Sequence, residues 1–333
     1  MGEDVADICQ SLVGGHPNTL RLRQMARRVA VSPARTVLIY GETGTGKGLV
    51  AETIHRLSPR STHEFVDINC AAIPASLLES ELFGHEKGAF TGAVERKLGL
   101  VEVANHGSIF LDEIREMDMM MQAKLLSVLD TQKFRRVGAV RPVTVDVRFI
   151  AATNKVLLSE VNAAKFREDL YYRLQVVAVN LPALRDRGDD VLVLAAHFIK
   201  VFNKFYARDI KGLAPEVEDI FRRYRWPGNV RELRNLLERI FILEDEDIVA
   251  VHHMPDRILR AVRGDGAKLP TPDAAKTLPL DGSFRDATEA FQRQVIERAL
   301  QRNHGSLQHA AESLDLSRHA LRHQMAKLGI AKV

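Results

Sequence analysis

An α/β domain, with a parallel sheet covered by helices on both faces, followed by a helical lid and a small all-α helix-turn-helix domain, is the architecture that this 333-residue chain predicts. Three observations carry it. The apolar run Thr36-Val-Leu-Ile-Tyr40 enters a glycine-rich turn and then a helical pattern through Leu49, Val50, Thr53, Ile54 and Leu57, which is a strand, loop, helix unit. Apolar runs at residues 65–69, 108–111, 148–152 and 176–180 alternate with helix-like segments such as 119–130. After Leu181-Pro-Ala-Leu-Arg-Asp186 the strand signals stop, and residues 191–205, 215–224 and 230–243 read as three helices.

The remaining elements follow in order. Residues 134–146 read as a hairpin turning at 138–142. The arginines at 21, 23, 27 and 28 fit the wet face of an early helix, and the methionines at 117 and 119–121 fit core filling and interface packing. The stretch 263–283, rich in Gly, Pro and Ala, marks a linker. Beyond it, residues 284–301 form an amphipathic helix, and 306–313 with 318–328 a helix-turn-helix joined at 314–317. The expected domains are thus 1–182 (nucleotide-binding), 183–262 (lid), 263–283 (linker) and 284–333 (helix-turn-helix).

Bulk properties narrow the function. With 46% hydrophobic and 27% charged residues the composition is that of a globular protein, and no apolar run is long enough to cross a membrane. The N-terminus is acidic where a secretory signal is basic and then apolar, so a cytoplasmic location without membrane contact is expected. The two cysteines, Cys9 and Cys70, lack metal-ligand spacing and read as reduced thiols. The histidines show no metal spacing either, and His252-His253 reads as a surface loop. A net charge of +4 does not by itself demand a nucleic-acid partner.

The chemistry lies in contiguous motifs. Gly41-Glu42-Thr43-Gly44-Thr45-Gly46-Lys47 follows a strand and opens a helix, so its N–H groups can cradle phosphates while Lys47 reaches the β- and γ-phosphates of ATP. Gly48 stands where a Ser or Thr hydroxyl would ligate Mg²⁺. Ser108-Ile-Phe-Leu-Asp112-Glu113 is an apolar strand ending in two acids; Asp112 is the expected Mg²⁺ ligand and Glu113 the group that polarises the attacking water. Between these motifs lies Glu81-Leu-Phe-Gly-His-Glu-Lys-Gly88-Ala89-Phe90-Thr91-Gly92-Ala93, where glycines flank a bulky aromatic. That pattern fits a mobile tip displaying Phe90, or a glycine-rich turn whose Phe90 packs locally.

Gly88-Ala-Phe-Thr-Gly-Ala93 matches the loop that defines bacterial enhancer-binding proteins, the AAA+ activators of sigma-54 RNA polymerase, and the chain resembles that family over most of its length. The resemblance implies an AAA+ P-loop fold and assigns residues 88–93 to contact with sigma-54. It makes Asn154, in Ala151-Ala-Thr-Asn154, a sensor of the γ-phosphate, and Arg167 and Arg173 arginine fingers for a neighbouring subunit's ATP. Arg231, in Trp226-Pro-Gly-Asn-Val-Arg231, becomes the lid arginine of the ATP site, and Asn69 the partner of Glu113 that couples nucleotide state to the loop. Structural ion pairs are the competing role for each arginine.

The family commonly has glutamate where this chain has Gly48, and the departure puts the rate of hydrolysis in doubt. The tail is similar to a Fis-type domain, with Arg318, His319, Arg322 and His323 facing the DNA groove; a solvated basic face is the alternative. The implied function is ATP hydrolysis in a homo-oligomeric ring, expected to be a hexamer, that remodels the sigma-54 holoenzyme at a closed promoter while bound to enhancer DNA. Two alternatives remain: a DNA-binding regulator that binds nucleotide without turnover, and a remodeller of another protein. The family usually places a sensory domain ahead of the ATPase, so control is expected to come either from a separate regulatory protein or from a domain missing from a truncated product.

Overall fold

The computed structural model describes residues 12–263 and residues 293, 296, 300, 306, 307, 309, 311, 321, 322 and 325. The chain divides into two compact units, Met1–Arg263 and Gly264–Val333.

In the first unit the elements run α1 (Pro17–Val31), β1 (Thr36–Tyr40), α2 (Lys47–Arg56), β2 (Phe65–Asn69), α3 (Ala75–Phe83), β3 (Ser108–Asp112), α4 (Met119–Thr131), β4 (Arg148–Thr153), α5 (Glu168–Leu174) and β5 (Ala178–Asn180). The five strands form one parallel sheet in the order β2-β3-β4-β1-β5. Side chains alternate along each strand. Val37, Ile39, Phe110, Ile150 and Ala152 pack with α1 and α2 on one face, whereas Leu38, Ile109, Leu111, Phe149 and Ala151 pack with α3, α4 and α5 on the other. Burial on both faces explains why these strands read as continuous apolar runs. Each fully buried aliphatic side chain contributes about 1.5–3 kcal/mol, against about 0–1 kcal/mol for an exposed ion pair, so the sheet interior fixes the strand ends.

Local chemistry sets several boundaries. Pro17 opens α1, and Asp118 caps α4 by accepting from the Met121 N–H at 2.8 Å. Arg148 is buried at the start of β4 with no acidic partner among the described residues, and donates to the carbonyls of Val29 (2.5 Å) and Ala30 (3.0 Å) at the end of α1. Burial lowers its pKa to about 10, so it remains charged near neutrality. The expected hairpin is present as a short antiparallel ladder between Lys133–Phe134 and Val143–Thr144. The last strand of this sheet begins at Ala178, two residues later than the apolar run suggests, and two short strands that the sequence does not signal, Gly212–Leu213 and Ile248–Val249, pair in parallel in the lid.

The lid consists of α6 (Asp190–Tyr206), α7 (Pro215–Arg223), α8 (Asn229–Leu243) and α9 (Asp256–Arg263). Its core includes Leu194, Phe202, Val217, Phe221, Trp226, Leu233 and Leu237. Trp226 is fully buried, with its Nε1–H donating to the Phe221 carbonyl at 2.9 Å and its ring edge-on to Phe221 and Tyr224. That anchorage holds the turn leading into α8. No helix among the described residues is long and apolar enough to cross a membrane.

In the second unit Ile296, Leu300, Ala311, Leu321 and Met325 form a small buried cluster with Leu307 against it. Arg322 is helical and exposed beside buried Leu321, whereas Arg318, His319, His323 and most of the linker lie outside the described residues.

Candidate active site

The site is assembled at the C-terminal ends of β1, β3 and β4. Residues 41–46 follow β1 and turn into α2, whose N-cap is Gly46 with φ +101° and no side-chain cap. The first-turn N–H groups of α2 therefore face the loop without a competing side chain, as an anion cradle requires. Lys47 is 6% exposed; its Nζ donates to the Gly41 carbonyl at 3.1 Å and lies 3.6 Å from Glu113 Oε1.

Asp112 ends β3 and Glu113 follows in the left-handed region at φ +50°, a conformation that costs a non-glycine residue about 1–3 kcal/mol. Asp112 Oδ1 accepts the Glu113 N–H at 3.0 Å, while Glu113 Oε2 is buried without a hydrogen-bond partner. Arg115 Nε, also buried and unbonded, is 3.8 Å from that oxygen. Asn154 follows β4; its Nδ2 donates to Thr43 Oγ1 at 3.1 Å, and its Oδ1 is buried and unpartnered. Unpaired polar atoms on two converging segments, after β3 and after β4, beside a buried lysine, fit an anionic ligand with a hard cation.

Several residues sit otherwise than the sequence reading expects. Asn69 is level with Asp112 in the β2–β3 register, yet its Oδ1 accepts the Ala71 N–H at 3.0 Å, and Glu113 pairs with Lys47 instead. Arg167 is held by Asp169 through two hydrogen bonds of 3.0 and 2.7 Å. Arg173 pairs with Asp130 at 2.9 Å and donates to the Leu129 carbonyl at 3.0 Å. The Arg173 carbonyl accepts from Thr36 Oγ1, at the end of β1 opposite to the phosphate loop. The lid arginine Arg231 is exposed, and its backbone N–H donates to the Gly44 carbonyl at 3.2 Å.

Gly48 is not sterically required, because an added Cβ would meet only Phe110 Cε1 at 3.6 Å. Gly48→Ala is therefore expected to stabilise the chain by about 0.5–1 kcal/mol; a denaturant melt checks this, and a lower midpoint would show that the backbone needs glycine there.

The loop of residues 88–93 rises from a ladder between Gly84–His85 and Lys97–Leu98. It closes on itself through Gly88 N–H to the Ala93 carbonyl (2.8 Å) and Ala93 N–H to the Phe90 carbonyl (3.0 Å), with left-handed φ at Gly88 and Gly92. Phe90 combines the two readings of the sequence: it is 43% exposed, yet its ring lies edge-on to His85 at 5.0 Å. Ala89 is half-buried, Thr91 exposed and Ala93 buried.

Sequence reading missed Arg136. It donates to Glu86 at 2.9 Å and to both carboxylate oxygens of Glu102 at 2.7 and 2.6 Å, joining the loop base, the 133–144 hairpin and the short helix Leu100–Val103. Glu42 was placed in the phosphate loop, but its clamp to Arg185 at 2.8 and 2.6 Å was not foreseen; those bonds pull its pKa down to about 2. Cys70 is buried, which raises its thiol pKa to about 12, so it is inert.

In the lid, Glu246, His252 and His253 offer ligand atoms within 4.8 Å, and His253 is buried rather than part of a surface loop. His253 Nδ1 accepts the Ala250 N–H at 2.9 Å, so in the neutral ring the proton is on Nε2, the atom facing Glu246. A metal would need a lone pair at Nε2, which that tautomer lacks; His252 Nε2 lies 2.9 Å from Glu246 Oε1, whereas His253 Nε2 is buried without a hydrogen bond, 3.7 Å from Glu246 Oε2.

Residues 12–180 match the Sigma-54 interaction domain, 185–269 the AAA+ ATPase lid domain and 287–328 the Fis family of bacterial regulatory proteins. The chain belongs to the sigma-54 activator family. This activator-family chain is 42% identical over 304 residues to Regulatory protein AtoC of Escherichia coli, covering 91% of itself and 64% of that protein. It is 41% identical over 321 residues to Nitrogen fixation protein AnfA of Azotobacter vinelandii, covering 96% and 58%. It thus spans about three-fifths of the length of these curated relatives. A crystal structure of NtrX from Brucella abortus in complex with ATP superposes with a TM-score of 0.74 at 34% identity, over 96% of this chain and 69% of that one. The AAA+ fold, the lid and the helix-turn-helix region are shared with the family.

Proposed function

We propose that the chain hydrolyses ATP in a homo-oligomeric ring and uses the cycle to move Phe90 and Thr91 against sigma-54, remodelling a closed promoter complex while the Gly264–Val333 unit holds enhancer DNA. The observation that supports this reading is the placement of the loop of residues 88–93 between β2 and β3. These are two strands of the sheet whose strand ends carry the phosphate loop and the acid pair, and Arg136 ties the loop base to its neighbouring hairpin and helix. NtrX crystallised with ATP and with ADP supports the choice of nucleotide.

The residues divide the work. The α2 N-terminus and Lys47 bind the phosphates, with Thr43, Asn154 and Arg231 around them. Phosphate competes with Glu113 for Lys47, whose Nζ is 3.6 Å from Glu113 Oε1, and so frees the carboxylate. Glu113 Oε2, buried and unbonded, then takes the proton of the attacking water. Asp112 would hold Mg²⁺, which when bound neutralises phosphate charge. Arg167 and Arg173 are proposed to act on a neighbour's ATP after leaving Asp169 and Asp130. Asn69 is proposed to take up Glu113 when Lys47 turns to nucleotide.

Thr91→Ala tests the output. The side chain is exposed on the loop and belongs to neither the phosphate loop nor the acid pair, so the variant should keep its ATP turnover and lose binding to sigma-54 in the presence of a transition-state analogue of ATP hydrolysis. Undiminished binding would favour a remodeller that acts on a different protein.

A further inference from the structure

The lid and the phosphate loop meet at Asn229, a residue of the Trp226–Arg231 segment to which the sequence assigns no role of its own. Asn229, the first residue of α8, is fully buried and has φ +50°. Its Oδ1 accepts the Leu184 N–H at 2.8 Å, while its Nδ2 donates to the Thr43 carbonyl at 3.1 Å and to Glu42 Oε2 at 3.2 Å. One amide thus spends its donors and an acceptor on the phosphate loop and on the strand-to-lid connection, while its own backbone starts the helix carrying Arg231.

The surroundings repeat the same connection. Arg185, in that strand-to-lid segment, donates to both oxygens of Glu42. Gly44 accepts the Arg231 N–H, and it approaches the lid so closely that a Cβ there would lie 2.2 Å from the Gly228 carbonyl oxygen. Trp226, itself left-handed and buried, braces the turn from below. A phosphate loop closes on its own backbone without any of these contacts, whereas asparagine is among the few residues that tolerate a left-handed φ while offering an amide.

We propose that Asn229, with Glu42 and Arg185, is a positioning clamp through which the docked lid sets the Thr43-Gly44 backbone for nucleotide, so that lid position controls how tightly nucleotide is held. The role rests on the nucleotide-binding reading of residues 41–47. Undocking the lid breaks the amide's bonds to Thr43 and Glu42 together, and the loop then loses its shape and releases its ligand.

The test uses the full chain with a fluorescent ATP analogue, measuring equilibrium affinity, dissociation rate, KM, kcat and thermal melting. Loss of two hydrogen bonds to the loop should weaken affinity and raise KM by about tenfold or more in Asn229→Ala, with faster dissociation to match. At saturating ATP, kcat should stay within about threefold of wild type. Arg185→Ala, at an exposed position, should weaken affinity in the same direction without loss of folding and decides the matter if Asn229→Ala melts. The swap Glu42→Arg with Arg185→Glu should recover part of the affinity that Glu42→Arg alone loses. Folded variants with wild-type affinity and dissociation rate would overturn the clamp, as would a fall in kcat at unchanged KM. A wild-type chain that binds no nucleotide would overturn the nucleotide reading itself.

Discussion

Glu113→Gln should lower steady-state ATP turnover by about 10²–10⁴-fold while leaving nucleotide affinity at or above that of wild type. The glutamine keeps the shape and the hydrogen-bonding reach of the side chain but cannot accept a proton. The expectation rests on how Glu113 is held: its backbone is left-handed, one oxygen faces Lys47 at 3.6 Å, and the other is buried without a hydrogen bond, 3.8 Å from Arg115 Nε. A carboxylate oxygen kept from water without a hydrogen bond is costly in a purely structural role. Phosphate release measured at concentrations that permit assembly decides the matter. Equal rates in variant and wild type would remove Glu113 as the base. An inactive wild type that still binds nucleotide would instead favour a DNA-binding regulator without turnover, the alternative that Gly48 motivates.

Arg173→Ala should be as severe, costing about 10³-fold or more in turnover, and it should be repaired by a second defective chain. Arg173 sits where Thr36 opens β1, whereas the phosphate loop leaves that strand after Tyr40. At about 3.3 Å per residue the two ends are roughly 13 Å apart along the strand. Mixing Arg173→Ala with Lys47→Ala places an intact site beside an intact finger in some neighbouring pairs, so turnover in the mixture should exceed the sum of the two alone. A mixture no better than that sum would return Arg173 to the role that it plays in the isolated chain, an ion pair with Asp130. The same mixture with Arg167→Ala asks whether Arg167, once freed from Asp169, shares the task.

The parts legible in the sequence are those written in consecutive residues. The phosphate loop, the acid pair after β3 and the glycines around Phe90 each depend on near neighbours, and the alternation of strand and helix follows from sheet burial on both faces. Contacts between distant segments left no local trace. Arg136 meets Glu102 across 34 positions and Asn229 meets Glu42 across 187, and neither residue type is unusual in a hairpin or at a helix start. Asn69 illustrates a different limit. Its place beside Asp112 follows from strand register, but register does not fix the direction of its amide, whose Oδ1 accepts the Ala71 N–H while Glu113 lies against Lys47. Phe90 fits two readings because its partner His85 is held by residues distant in sequence, Lys97 in the ladder and Val137 in the hairpin, as well as by Ser80.

The finger proposed at Arg173 and the phosphate loop belong to opposite ends of β1, which would give each chain a giving side and a receiving side. A two-fold contact uses one shared patch, which would have to hold both the finger and the site for two such chains to complete each other. Head-to-tail contact completes them one at a time, and an open row always ends in one idle site and one unused arginine. Only closure removes both, so under this proposal turnover per chain is expected to rise on assembly and once more when the last gap is filled.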